Sequence, residues 1–173
     1  RMREMILAGS QEARREALKR WVPERPYKAL TQGINHTAVF ALDLEETARF
    51  YTEGLGMHAM GVAPNRDEPG STHITIDIGN GSALSFFDFP HVERLTKVAP
   101  EGGGNAMHVA TPISRNNLAL VKERLDAAGA EYQEAGGSLY VPDPNGLTIE
   151  LLPEDLVPQQ RLEFKKWSRA AAG

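Results

Sequence analysis

Between residues 33 and 152 the apolar positions switch between a period of two and a helical period, and they do so twice in the same order. The first unit opens with an apolar strand, Ile34 to Phe40. A helix follows, with Leu44, Thr47, Ala48, Tyr51 and Leu55 at helical spacing and Gly54 and Gly56 at its end. The second unit opens with a strand from Asn105 to Ala110, then a helix carrying Leu118, Val121, Leu125 and Ala128 and stopping at Gly129. His36 and His108 lie 72 residues apart, and Gly56 and Gly129 lie 73 apart, so the two registers agree through strand and helix. Each unit then closes with a hairpin, His73 to Phe87 and Ser138 to Leu152, whose Asn80-Gly81 and Asn145-Gly146 dipeptides are offset by 65 residues. Asn-Gly is the sequence that a type I′ turn demands, because both central residues take positive φ. One further strand before each hairpin, at Met57–Val62 and Ala130–Glu134, makes each unit βαβββ. The expected modules span 33–100 and 105–152, joined at Gly102-Gly103-Gly104.

The flanks read differently. Residues 1–32 form a basic-leaning arm with a helix expected from Ser10 to Val22, Ser10 capping it and Pro23 stopping it. Residues 153–173 form a second arm, with Leu156, Val157, Leu162, Phe164 and Trp167 on a docking helix. Both arms are expected to pack on their own domain or on a second subunit, which points to a homodimer. The 173 residues contain no cysteine, so thiol nucleophiles, thiolate zinc sites and disulfides are excluded. With 19 Lys and Arg against 23 Asp and Glu, the net charge of −4 argues against a nucleic-acid partner. No apolar run reaches the length of a membrane span, and the first residues do not resemble a secretory signal. A soluble, cytoplasmic protein without membrane or nucleic-acid partners is the expectation.

Side chains alternate across a strand, so Ile74, Ile76 and Ile78 should pack under the helix while His73, Thr75 and Asp77 face the concave side. The 65-residue offset puts Ser138, Tyr140 and Pro142 on the same face of the second unit. Glu150, between Ile149 and Leu151, points into the concavity too, and its counterpart in the first unit is Ser85. A carboxylate on an otherwise apolar strand is costly without a partner. Two histidines at equivalent places on the first strands, His36 and His108, together with Glu150 make a two-His, one-carboxylate donor set. That set suits non-haem Fe(II) oxygen chemistry, with Mn(II), Zn(II) and Ni(II) as the other candidates, and one divalent ion per chain is expected.

The paired βαβββ pattern resembles the vicinal-oxygen-chelate superfamily, which includes glyoxalase I, type I extradiol dioxygenases and bleomycin- or fosfomycin-resistance proteins. The resemblance implies an α+β fold, an open pseudo-twofold barrel of two βαβββ modules, with the helical arms outside it. It places the family's ligands on His36, His108 and Glu150. The run Leu139-Tyr140-Val141-Pro142-Asp143-Pro144-Asn145-Gly146-Leu147-Thr148-Ile149-Glu150 is similar to the extradiol signature. Two features depart from it. Glu131, Tyr132 and Gln133 stand where that signature carries a histidine, and Leu84 and Ser85 stand where extradiol enzymes carry an acid–base histidine. His73 is the expected substitute, since His58 and His91 fall near loops. In glyoxalase-like members a fourth ligand occupies the position of Ser85; serine leaves that position open for substrate and dioxygen. The resemblance thus implies an Fe(II) extradiol-type dioxygenase acting on a catechol-like or other vicinal-oxygen small molecule. Tyr140 and His73 are the expected catalytic residues, and Ser85, Thr75 and Phe87 the expected substrate-binding ones. The alternatives are a glyoxalase-like metal-dependent lyase or isomerase and a drug- or metabolite-sequestering protein. Glu150→Ala separates them: turnover should vanish in either enzyme, whereas ligand sequestration, read by calorimetry, should survive.

Overall fold

The computed structural model describes residues 11–22, 30–31, 33–66, 68, 70–89, 98 and 104–157. Ser10, Pro23, His91, Gly102, Gly103 and the arm beyond Val157 lie outside the described residues. In the N-terminal segment, taken by itself, helix α1 spans Gln11–Lys19 and buries none of its residues. It stops short of Val22 because Trp21 and Val22 bond back to Leu18 and Lys19 three residues earlier, tightening the last turn.

Residues Gly33–Val157 form one compact unit. Its first module runs β1 (His36–Phe40), α2 (Leu44–Arg49), β2 (His58–Pro64), β3 (Thr72–Gly79) and β4 (Ser82–Phe87). The second runs β5 (Val109–Ile113), α3 (Arg115–Ala128), β6 (Gln133–Ala135), β7 (Ser138–Pro142) and β8 (Thr148–Pro153). Each is a βαβββ module with one four-stranded sheet, ordered β1-β4-β3-β2 and β5-β8-β7-β6. In both, the first strand pairs parallel to the last and the other pairings are antiparallel. The fold is therefore α+β, open and pseudo-twofold, and the repeat read from the spacing is a repeat of backbone topology. Among the described residues, no helix is long and apolar enough to cross a membrane.

Local chemistry sets the helix ends. Asp43 caps α2 by accepting the Glu46 amide, and Ser114 caps α3 by accepting that of Asn117. Helix α3 ends on Gly129 in the left-handed region. After Arg49, α2 widens into a π-helical turn, Phe50–Gly54, in which the Leu55 amide bonds to the Phe50 carbonyl.

Two local expectations change. The first strand of the second module starts at Val109 instead of Asn105, leaving His108 one residue ahead of it. The ladder with β8 runs from Val109↔Ile149 to Ile113↔Pro153, so His108 lies just before its first paired residue. The two Asn-Gly dipeptides also diverge. Asn80 and Gly81 both take positive φ, 55° and 78°, as a type I′ turn requires. Of Asn145 and Gly146, only Gly146 does, at 87°. Pro144 fixes its own φ near −65°, so the chain turns over Asp143-Pro144-Asn145-Gly146, with the Gly146 amide bonding to the Asp143 carbonyl at 3.1 Å.

That longer loop joins the modules. The Asn145 side chain accepts the Leu42 amide at 2.8 Å and donates to Thr47 Oγ1 at 3.1 Å. The buried Asp143 carboxylate accepts the Asn145 and Leu147 amides at 2.8 and 2.7 Å, and the Tyr51 hydroxyl at 3.0 Å. Around this polar knot lies one apolar core. Ile74, Ile76, Leu84 and Phe86 of the first sheet share it with Leu139, Val141, Ile149 and Leu151 of the second, together with Tyr51, Leu55, Val121 and Leu125 from the helical layer. The helix-side faces of both sheets are thereby buried in that one core, with α3 packed against the π-helical turn.

Burial, reinforced by the Asp143 charge and hydrogen bond, raises the Tyr51 pKa far above its ordinary value. A raised folded-state pKa adds stability that is present below the unfolded tyrosine value near 10 and is lost as pH rises above it. Tyr51→Phe should cost about 1–3 kcal/mol at neutral pH. Above pH ~10 it should flatten the loss of stability by roughly 1.4 kcal/mol per pH unit. Urea unfolding of both proteins across that pH range checks it.

Candidate metal centre

Because the helix-side faces are buried, the chemistry sits on the opposite face of each sheet. In the second module, β8 presents Glu150 between the core residues Ile149 and Leu151, and the strand start presents His108 beside it. His108 Nε2 lies 3.0 Å from Glu150 Oε2, and Glu150 is 8% exposed. Tyr140, on β7, is the cross-strand partner of Glu150. The hydrogen bond between its hydroxyl and the Glu150 carboxylate is the main cause holding the phenol above its ordinary value, with desolvation and the carboxylate's charge adding to it. The His108 and Tyr140 rings meet edge to face at 5.7 Å. Beside Tyr140 a basin of about 550 Å³ is lined by Tyr132, Gln133, Pro142 and Thr148.

The first module carries the same backbone positions with different donors. Ala38 pairs with Ser85 as Ala110 pairs with Glu150, and Thr75 pairs with Ser85 as Tyr140 pairs with Glu150. Here the contact is neutral, Thr75 Oγ1 to Ser85 Oγ at 3.2 Å. His36 is exposed, and its Nδ1 lies 2.8 Å from Asn35 Oδ1. His73 stacks on Phe87 with ring centroids 4.8 Å apart, and its Nδ1 is buried with no hydrogen-bond partner. Phe87 stacks in turn on Phe89 at 6.4 Å, and Phe89 meets Phe40 edge-on at 5.6 Å. Phe86 turns the other way, fully buried against Tyr51 at 4.9 Å.

His108, Tyr140 and Glu150 are thus brought together, and His73, Thr75, Ser85 and Phe87 share the other open face. His36 does not join His108 and Glu150: among the described residues of one chain, no three His, Asp or Glu side chains form a group able to hold a metal ion. The donor chemistry at His108 and Glu150 fits a cation, since two ligand atoms on one octahedral ion are separated by roughly 3 Å. The fit is that of two donors of a three-donor set. Spacing placed Tyr51 on a helix and Asn145 in a turn without revealing their contacts between modules, and it gave Phe40 no role. Asp-Pro-Asn-Gly was the available signal for the Asp143 knot, and the period-two alternation that exposes His36 also exposes Phe40.

The family model for the Glyoxalase/Bleomycin resistance protein/Dioxygenase superfamily matches residues 33–151. A Bacillus subtilis (strain 168) protein named "Putative ring-cleaving dioxygenase MhqE" is 34% identical over 107 residues, which cover 60% of this chain and 34% of that protein. The chain therefore spans about a third of that relative's length. Among solved structures, glyoxalase I of Leishmania major superposes with a TM-score of 0.60 at 20% identity, over 82% of this chain and 99% of that one. The fosfomycin resistance protein FosX of Listeria monocytogenes, solved with Mn(II), superposes with a TM-score of 0.57 at 20% identity, over 77% of this chain and 99% of that one. At these identities the superpositions show the fold.

Proposed function

The chain belongs to the glyoxalase/bleomycin resistance protein/dioxygenase superfamily, and from that premise we propose that it is a divalent-metal-dependent dioxygenase of the extradiol type, acting on catechol-like small molecules. The observation that carries the reading is the convergence of His108 and Tyr140 on the buried Glu150 carboxylate, with His108 Nε2 and Glu150 Oε2 3.0 Å apart. Similarity to a relative named for ring cleavage supports the choice of reaction. His108 and Glu150 would hold the ion, with His36 as the third donor. Fe(II), when bound, supplies a positive charge that lowers the pKa of substrate hydroxyls and a redox couple for dioxygen.

The remaining work falls to side chains. The Tyr140 hydroxyl hydrogen-bonds the Glu150 carboxylate; with Glu150 engaged by an ion, the same O–H, protonated at neutral pH like any phenol, would be available to donate to a substrate oxygen. His73 Nδ1, buried and unpartnered, is free to take a proton from a substrate hydroxyl or return one to the product. The flat faces of Phe87 and Phe89 suit a planar ring. Thr75 and Ser85 offer hydroxyls to its substituents, and serine in place of a fourth ligand leaves room for two reactants. Extradiol cleavage puts both atoms of dioxygen into the product, so no external reductant is needed.

The test is anaerobic reconstitution with Fe(II), followed by oxygen-electrode and absorbance assays on a panel of catechols. About one iron per chain, oxygen uptake and a yellow ring-opened product are expected. Tight zinc or nickel with no oxygen uptake overturns the reading in favour of a glyoxalase-like activity. Tyr140→Phe should lower the turnover of the iron-loaded protein by roughly 10²-fold while leaving its melting temperature within a few degrees, because the phenol sits on an open face.

A further inference from the structure

Helix α3 carries Asn117, Leu120, Val121 and Arg124 at successive turns of one face. This stripe forms one wall of a cleft of about 390 Å³ whose lining includes Leu55, Val121 and Leu151 of the helix-side core. The facing wall is Leu55, Gly56 and Met57, the segment that leaves the π-helical turn of the first module. Leu151, 1% exposed, lies at the base. Arg124 is placed in this cleft by the backbone opposite it. Its Nη1 lies 2.7 Å from the point where a Gly56 side chain would begin, so the guanidinium rests where only a glycine, at a φ of 71°, leaves room. Arg49 and Arg115 of the same unit each pair with a carboxylate, Glu45 and Asp155. Arg124 has neither an ion pair nor a hydrogen bond among the described residues, and the Asn117 side-chain amide is likewise without a partner there. Between them Leu120, 47% exposed, holds an apolar side chain in solvent.

We propose that this cleft is a second small-molecule site, built for a monocarboxylate with an apolar body. The planar guanidinium fork takes the carboxylate through two parallel hydrogen bonds, and the Asn117 amide can donate a third. The apolar body lies along Leu55, Met57, Leu120 and Ile113. Charge decides the class of ligand. Among the described residues of the lining Arg124 is the one permanent cation, which suits a single negative charge. The lining also contains one carboxylate, Asp77, whose Oδ1 accepts the Gly79 amide at 2.7 Å; its charge disfavours a phosphate or any polyanion. The volume stands at the small end of the roughly 300–1,000 Å³ that small-molecule sites span. An occupant bridges α3 of the second module to the π-helical turn of the first. It also rests against Leu151, the neighbour of Glu150 on β8, from behind the open face. The proposal does not depend on the metal-dependent reading, because His36, His108, Tyr140 and Glu150 take no part in the lining.

Titration of the isotopically labelled 173-residue chain with hexanoate, followed by amide chemical shifts, tests this. Hexanamide and inorganic phosphate serve as controls. Saturable shifts are expected at Gly56, Leu120 and Arg124 and not at Tyr140 or Phe87, with a dissociation constant of roughly 1 mM or tighter. Hexanamide, which lacks the charge, and phosphate, which lacks the apolar body, should each bind at least about tenfold more weakly. Arg124→Gln should weaken hexanoate by roughly 10- to 100-fold. Leu120→Glu sets a carboxylate one turn before the guanidinium, where the two pair. It should block the probe and leave the fold intact, since the position is exposed. Equal binding of hexanoate by the wild type and Arg124→Gln overturns the proposal, and so does a wild type that binds hexanamide as well as hexanoate. Shifts confined to Tyr140 and Phe87 put the probe on the open faces and overturn it too. Phosphate bound as tightly as hexanoate overturns the assignment to a monocarboxylate, as does a wild type in which hexanoate never saturates.

Discussion

Ile74, Ile76, Leu84 and Phe86 from one sheet and Leu139, Val141, Ile149 and Leu151 from the other enter the same apolar core, with α3 packed against the π-helical turn between them. At roughly 1.5–3 kcal/mol for each large side chain fully buried, this shared layer outweighs any single polar contact in the unit. Its consequence is directional. A strand has two faces, and once one is committed to the core the other must carry whatever chemistry the protein performs. His36, His73, Thr75 and Ser85 on one sheet, and His108, Tyr140 and Glu150 on the other, are where that constraint leaves them.

Apolar burial is non-directional; the polar knot at the Asp143 loop adds directional contacts between the modules. Burial raises the Asp143 pKa, opposed by the hydrogen bonds from Asn145, Leu147 and Tyr51. A buried carboxylate with its donors in place fixes geometry, because moving any donor leaves charge unpaired at a cost of several kcal/mol. Gly146 belongs to the same knot, taking a φ of 87° at a point where a Cβ would run into the Val98 side chain. The Asp-Pro-Asn-Gly run therefore holds the second module against the first through Tyr51, Leu42 and Thr47.

The two modules share one backbone topology and differ in the chemistry of a few open-face positions. Where the second module pairs Tyr140 with Glu150, the first pairs Thr75 with Ser85. The former holds a charge and a proton; the latter has only neutral hydroxyls 3.2 Å apart. The first module adds instead a file of rings, His73, Phe87, Phe89 and Phe40. The open face of the second module thus sets an imidazole beside a carboxylate, and that of the first sets stacked rings beside hydroxyls.

Much of this was legible in the residue pattern. Periodicity and the offsets of 72 and 65 residues determined the two βαβββ modules and which side chains share an open face, since alternation along a strand is a local property; the strand order came from the structure. The Tyr140–Glu150 pairing does not follow from the expected turn: a two-residue turn at Asn145-Gly146 would put Leu151 opposite Tyr140, and the longer loop shifts the register by one to Glu150. Turn chemistry was only half readable. Asn80-Gly81 forms the expected I′ turn, but Pro144 diverts Asn145-Gly146 into a longer loop whose side chains reach across to the other module. How the modules pack on each other lies beyond local periodicity, because identical amphipathic sheets can bury their apolar faces in one core in more than one way. Only the tertiary structure decided that His36 stands apart from His108 and Glu150, through long-range contacts among Tyr51, Asp143 and Asn145 that no local pattern encodes.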